Sequence, residues 1–305
     1  MGKENVYEKP VTLTNILKFA VPTIAMTVFM SFVTGGVLNM ALDYVFIAGF
    51  DWGISGAAVA TGLGYSVTAV VGFVVFFRKK SLLHFTRPAF RLKVLASAAT
   101  NGCSEMATAL VTGIITMMFN WTMLHYVGED GVAAVTIIMY VLMFASSLYT
   151  GYSYGVAPML SFYHGERNRE KLKKLTGISL RVIACISLLT VAVSFLLTGP
   201  LVSVFARPEN PVYDLAVTGN RICTIALFFI GFNIFASGMF TALSNGIVSA
   251  VLAFSRSFVF MLIMMIVLPM LLGVNGIWLA TPAAELMAFA LSVLLFRKYR
   301  ERYGY

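Results

Sequence analysis

Four ionisable side chains stand deep inside long apolar runs of this 305-residue chain: Glu105, Arg221, Arg256 and Glu285. A charge near the middle of a lipid bilayer costs several kcal/mol unless it is paired or faces water, so such residues are the first candidates for function. Two acids and two bases balance, and Arg221, Arg256 and Glu285, all in the second half, are expected to form one intramembrane ion-pair network. The plainer alternative is an ion pair that only holds helices together. Glu105 keeps different company. Asn101, Glu105, Thr108, Thr112, Thr116 and Asn120 recur at steps of three or four, which places all six on one helix face. Thr and Asn alone serve as glue between membrane helices, but a carboxylate among them points to the wall of a water-filled cavity. A looser stripe, Asn233, Ser237, Thr241 and Ser244, follows Pro211, with Asn220, Arg221 and Thr224 on the outer half of the same segment. Asn220 and Asn233 are counted with the cavity wall.

Other patterns resemble catalytic motifs without their context. Gly151-Tyr-Ser-Tyr-Gly155 fits the G-x-S-x-G of serine hydrolases, but that motif works through a sharp strand-to-helix turn, and here it lies in an apolar helix with no strand before it. His84, His125 and His164 have no companions at triad or zinc spacing. Asn120-Trp-Thr122 is a sequon inside a membrane segment, out of reach of glycosylation. No phosphate-binding or dinucleotide loop is present, so no ATP or NAD site, metal or other cofactor is implied, and no enzyme activity is expected.

The elements that position these residues follow from composition. With 59% hydrophobic and 11% charged residues and a mean hydropathy of +0.86, the chain lacks the polar surface of a soluble globule. Helices need roughly 20 apolar residues to cross the hydrocarbon core. Crossings are expected near 14–50, 54–77, 94–126, 131–163, 175–198, 211–244, 247–272 and 275–296. This is an all-α polytopic membrane protein of about eight transmembrane helices. The net charge of +9 does not point to nucleic acid, because the basic residues fall in short loops rather than on one face. Arg78, Lys79, Lys80, Arg87, Arg91 and Lys93 share one loop, Arg167, Arg169, Lys171, Lys173 and Lys174 another, and Arg297, Lys298, Arg300 and Arg302 the tail. The positive-inside rule therefore puts both termini in the cytoplasm. Cys103, Cys185 and Cys223 lie in apolar helices at no metal spacing and read as packing residues. The N-terminal residues match neither a cleavable signal peptide nor a myristoylation signal.

One phrase is written twice, Gly53-Ile-Ser-Gly-Ala-Ala-Val-Ala-Thr61 and Gly273-Val-Asn-Gly-Ile-Trp-Leu-Ala-Thr281. Each copy follows an apolar segment and leads into another that ends in Phe-Arg-Lys. A duplicated helix pair explains this most simply, and transporters are where such duplications are common.

Together these residues resemble the multidrug and toxic compound extrusion (MATE) transporters, in particular bacterial members of the MepA and NorM type. The specific runs are Asn101-Gly-Cys-Ser-Glu-Met106, Gly128-Glu-Asp-Gly-Val-Ala-Ala134, Gly155-Val-Ala-Pro158, Gly231-Phe-Asn-Ile-Phe235, Phe240 to Ala250, and Gly276-Ile-Trp278 with Ala284-Glu285. The resemblance implies two six-helix lobes about a pseudo-twofold axis, and a central cavity for cationic amphipathic drugs. Export would be coupled to inward H⁺ or Na⁺ flow across the bacterial inner membrane. Residues 91–297 resemble a complete second lobe. In the first lobe, 11–32 resembles the first helix and 39–61 the fifth and the start of the sixth, so helices two to four are missing. The expected division is 1–80 as a truncated N-terminal lobe, 81–93 as a basic cytoplasmic linker, 94–297 as the six-helix lobe and 298–305 as a tail. A straight helix over 14–50 would be about 55 Å long, too long for the bilayer, so a break is expected at Gly35-Gly36.

By the resemblance, Glu105 matches an acid implicated in cation coupling, and Pro22 matches a proline whose bending accompanies ion binding. The acid that some members place on the tenth helix has no clear counterpart, and residues 15–32 contain no acid at all. Seventeen Met and twenty-five Phe suit a promiscuous apolar cavity. The rival readings are an inactive truncated derivative, which pairing as a homodimer would rescue, and a flippase for lipid-linked oligosaccharides of the same superfamily.

Overall fold

A membrane interior offers the backbone no water to bond, so apolar runs of this length close their hydrogen bonds within themselves as helices. The computed structural model describes residues 11–32, 37–77, 91–92 and 111–305, and among them every regular element is helical. In chain order these are α1 Leu13–Phe32, α2 Leu38–Asp43, α3 Gly53–Phe77, α4 over residues 111–126, α5 Glu129–Gly165, α6 Arg169–Leu196, α7 Thr198–Ser203, α8 Pro211–Ala242, α9 Gly246–Phe254, α10 Met261–Leu272 and α11 Val274–Tyr303. Wider, π-helical stretches, Tyr44–Gly49 and Ser255–Phe260, follow α2 and join α9 to α10. Among the described residues, five helical segments are long and apolar enough to cross a membrane: α5, α6, α8, the continuous Gly246–Leu272 and α11. The expected crossing at 94–126 is described only from residue 111, and the break at Gly35-Gly36 lies outside the described residues.

The helix ends are set by local chemistry. Asn168, Asn210 and Asn245 cap α6, α8 and α9, their side-chain oxygens accepting from the backbone N–H of Lys171, Val212 and Val248. Glu129 and Asp130 sit in the first turn of α5, and Arg300 and Arg302 in the last turn of α11, each complementing the helix dipole.

The chain forms two compact units, one of residues 25–100 and the other of 1–24 with 101–305. This division falls inside α1. The reason is packing: Val11, Ile16 and Ala20 are buried in one core with Tyr149, Met159, Leu172 and Phe240. Gly151 is where this contact is tightest, since a Cβ there would stand 2.7 Å from the Cα of Ile24.

In the smaller unit Phe46 stacks on Trp52 with ring centroids 5.3 Å apart, and the Asn39 amide donates to Thr61 Oγ1 at 3.3 Å. In the larger unit α8 is the central helix, with more than half of its apolar window buried, whereas Gly246–Leu272 is the greasiest and least buried. Met270 and Leu271 of that segment are almost fully exposed, as a lipid-facing surface requires. Two cores divide the larger unit along its length. One gathers Tyr163, Leu172, Leu243 and Tyr303 near the basic loops, and the other Met123, Val135, Val202, Val212 and Ile277 at the opposite end.

The repeated phrase makes the same hairpin in both units. Gly53 and Gly273 each take a positive φ, +55° and +58°, where the chain turns into the following helix. Three residues on, Gly56 and Gly276 each lie against the preceding helix: an added Cβ would stand 3.1 Å from Phe46 in the first copy and 2.0 Å from the Leu268 carbonyl oxygen in the second. The glycines of the phrase are thus a turn residue and a close-approach residue, duplicated with their roles intact.

Candidate functional site

Glu285 lies on α11, about a dozen residues from the α10–α11 hairpin, and its side chain is only 7% exposed. Arg256, on the π-helical stretch opposite, donates from Nε to both carboxylate oxygens, at 2.8 Å to Oε1 and 3.0 Å to Oε2. From α8 the Asn233 amide donates to Glu285 Oε2 at 2.8 Å and to the Glu285 backbone carbonyl at 2.9 Å. The Asn233 carbonyl in turn accepts from the Ser292 hydroxyl at 3.0 Å. Three segments are tied by one neutralised charge, and among the described residues this is the sole ion pair. A buried pair of this kind is costly to leave half-made, because the remaining charge has no other counter-ion.

Arg221 does not belong to this network, which corrects the expectation of a three-member group. It is exposed on α8, and its guanidinium lies over the Phe195 ring of α6, 6.0 Å from the centroid. One helical position turns it away from the buried face that Asn220 occupies, and the flexible arginine stem lets the charge rest on an aromatic surface instead. Asn220 is likewise not a cavity residue. It is buried, and its amide donates to Thr198 Oγ1 at 3.1 Å and to Ser194, while Thr224 bonds Ser194 at 2.8 Å. Asn233, also placed on the cavity wall by sequence, is taken up by Glu285. Ser237 and Thr241 bond Ser249 of α9, at 3.0 and 2.7 Å. The α8 stripe is therefore interhelical glue of the kind membrane helices use.

The α4 stripe behaves differently. Thr112 and Thr116 are exposed and Asn120 half-buried. Thr116 and Asn120 border an open groove of about 740 Å³ together with Met117, Trp121, Leu124 and Glu129. Thr116 donates its hydroxyl to the Thr112 carbonyl one turn back, which satisfies it without a partner helix. Asn101, Glu105 and Thr108 lie outside the described residues, as do Gly35 and Gly36, and Pro22 sits exposed within α1. Among the described residues no cluster of His, Cys, Asp and Glu has the makings of a metal site. Ser153 of the hydrolase-like motif is buried within α5, beside Gly238.

Sequence reasoning missed one polar seam. Tyr149 of α5 shares a 2.5 Å hydrogen bond with Thr190 of α6 and donates to the Leu227 carbonyl of α8 at 2.9 Å. A tyrosine in an apolar run reads as an aromatic, and only the hydroxyl spacing Ser187, Thr190, Ser194 on α6 hinted at a partner.

Among the described residues the fold is all-helical with one charge neutralised inside the bundle, and comparison with known proteins says what that fold resembles. The chain is similar to a multidrug resistance MATE family transporter of the MOP superfamily in its outward-facing conformation, at 22% identity and a TM-score of 0.74, over 95% of this chain and 67% of that one. It is similar to an inward-facing structure of such a transporter at 21% identity and a TM-score of 0.76, over 98% and 71%. A family model described as MatE matches residues 106–267, and the chain belongs to the MatE family. Among curated proteins it is similar to the multidrug export protein MepA of Staphylococcus saprophyticus, at 23% identity over 87% of this chain and 58% of that protein. The chain thus spans less than two thirds of the length of the curated relatives it matches.

Proposed function

We propose that this chain takes part in cation-coupled export of cationic amphipathic drugs across the bacterial inner membrane, with H⁺ or Na⁺ as the coupling ion and both termini in the cytoplasm. The observation that carries the reading is the polar face of α4 on an open groove, in a chain of the MatE family. The groove suits an amphipathic cation: Met117, Trp121 and Leu124 supply apolar and aromatic surface, and Glu129 a negative charge. Its volume lies within the range of drug-sized sites. Continuing the α4 stripe by its own spacing leads through Thr108 to Glu105. In this reading that carboxylate alternately holds a cation and releases it in favour of the drug. Cells expressing the chain should accumulate less of a fluorescent cationic dye than empty-vector cells, and Glu105→Gln should restore accumulation. Equal accumulation in wild type and Glu105→Gln would remove the role of Glu105.

A second reading, an inactive derivative, rests on the internal loss of helices two to four that the resemblance implies, because alternating access uses two lobes around a shared site. A homodimer would supply missing walls, and a monomer in a native-mass measurement would exclude that rescue. The flippase reading is weaker still, since a pyrophosphate headgroup calls for free cavity arginines, whereas Arg256 is held by Glu285 and Arg221 rests on Phe195.

A further inference from the structure

We infer that Glu285 is a second proton-carrying site, distinct from Glu105, which binds a proton whenever the π-helical stretch Ser255–Phe260 carries Arg256 away from it. The inference rests on the cation-coupled reading above and names new residues for it. In the structure the Glu285 carboxylate receives Arg256 Nε on both oxygens and Asn233 on one. The groups facing it from each packed element are few. α8 contributes the neutral Asn233, α11 itself the neutral Ser292, and α9 and α10 contain no titratable side chain. Among the described residues, Arg256 is the single charged group paired with Glu285.

Arg256 also stands on an irregular element of the helix. It is the second residue of the π-helical stretch in the middle of Gly246–Leu272, and such stretches are local irregularities that recur at functional sites. Rewinding i→i+5 bonds to i→i+4 swings the residue at that turn around the helix axis. The Arg256 side chain is 24% exposed, so it has an outward path, whereas Glu285 does not. Once Arg256 leaves, a buried carboxylate without a counter-charge is too costly to persist, and it neutralises by taking up a proton. The proton arrives on a carboxylate oxygen by the path that Arg256 opens, and leaves again when the guanidinium returns. Movement of the π stretch and proton uptake are thus one event.

The test uses the purified full chain and reads protonation directly. Infrared difference spectra at neutral pH should show no protonated carboxylic acid at this site in the wild type. A carbonyl band of a neutral acid should appear in Arg256→Leu and vanish in Arg256→Leu/Glu285→Gln. If Arg256→Leu does not elute as a single species, Arg256→Gln takes its place with the same expectation. An Arg256 variant without the band, its Glu285 still ionised, overturns the inference. In proteoliposomes, the ratio of dye accumulation with an imposed pH gradient to that without one should fall by at least about tenfold in Arg256→Gln/Glu285→Gln, which leaves neither buried charge unpaired. A helix-holding pair alone would leave that ratio unchanged, and an unchanged ratio would overturn the proposal. Should the wild type move no dye, the export reading fails, while the infrared result still decides whether Glu285 takes a proton.

Discussion

Asn233 shows what a single neutral side chain does in a membrane bundle: its amide bonds the Glu285 carboxylate and backbone, and its carbonyl receives Ser292. Removing it strands a buried donor and leaves the carboxylate one bond short, so Asn233→Ala should destabilise the protein by about 1–3 kcal/mol. Ser292→Ala should cost about 0.5–1.5 kcal/mol, and Arg221→Ala no more than about 0.5–1 kcal/mol, as an exposed cation over a ring. Thermal melting in detergent should rank the three in that order, and an Arg221→Ala as damaging as Asn233→Ala would contradict the placement of Arg221. The sequence made Arg256 and Glu285 visible because a charge in an apolar run is conspicuous. It did not show which base pairs with the acid, since that depends on where each helix face points once packed. Asn233 and Asn220 look like cavity residues for the same reason: a polar stripe marks a face and not what covers it.

At the scale of elements, the repeated phrase was legible because glycine is the residue that both a positive φ and a close helix approach demand. The structure assigns those demands to Gly53 and Gly273 and to Gly56 and Gly276, respectively. Gly276→Ala drives a methyl into the Leu268 carbonyl and should cost about 1–3 kcal/mol, as overpacking does. Gly56→Ala meets Phe46 at a tight 3.1 Å, which a shift of a few tenths of an ångström relieves, and should cost less. Expression yield and melting temperature of the two variants check this, and equal tolerance of both would mean the second hairpin is looser than its geometry. The π-helical stretches had no sequence signal, because nothing in Ser255–Phe260 but its setting distinguishes it from an α-helical turn. The expected break near Gly35 falls outside the described residues, and the compact units divide inside α1 because its first turns fit a core built by α5, α6 and α8.

For the molecule as a whole, family and all-helical fold were readable from composition, span length and a handful of runs, whereas the placement of α1 was not. In the larger unit, the loop at 166–168, the start of α6 and the end of α11 bring together Arg167, Arg169, Lys171, Arg300 and Arg302. Lys171 lies over Tyr163 and Arg302 over Tyr299 and Tyr303. Burial, and then the neighbouring Tyr303, push the Tyr305 phenol at this end well above its ordinary range. The opposite end carries Glu129, Asp130, Glu209 and Asp214 against Arg207. The orientation proposed above from the positive-inside rule puts the basic, aromatic end in the cytoplasm. On a background in which Cys103, Cys185 and Cys223 are all replaced, a cysteine at Asn168 should react with an impermeant maleimide only in inside-out vesicles, and one at Glu209 only in intact cells. The reverse pattern would invert the topology. Coupled export itself is tested most directly by reconstituting the purified full chain into proteoliposomes and following a cationic dye under imposed H⁺ or Na⁺ gradients. The account predicts gradient-dependent dye accumulation that Glu105→Gln abolishes; dye movement indifferent to both gradients, or none at all from the wild type, would contradict it.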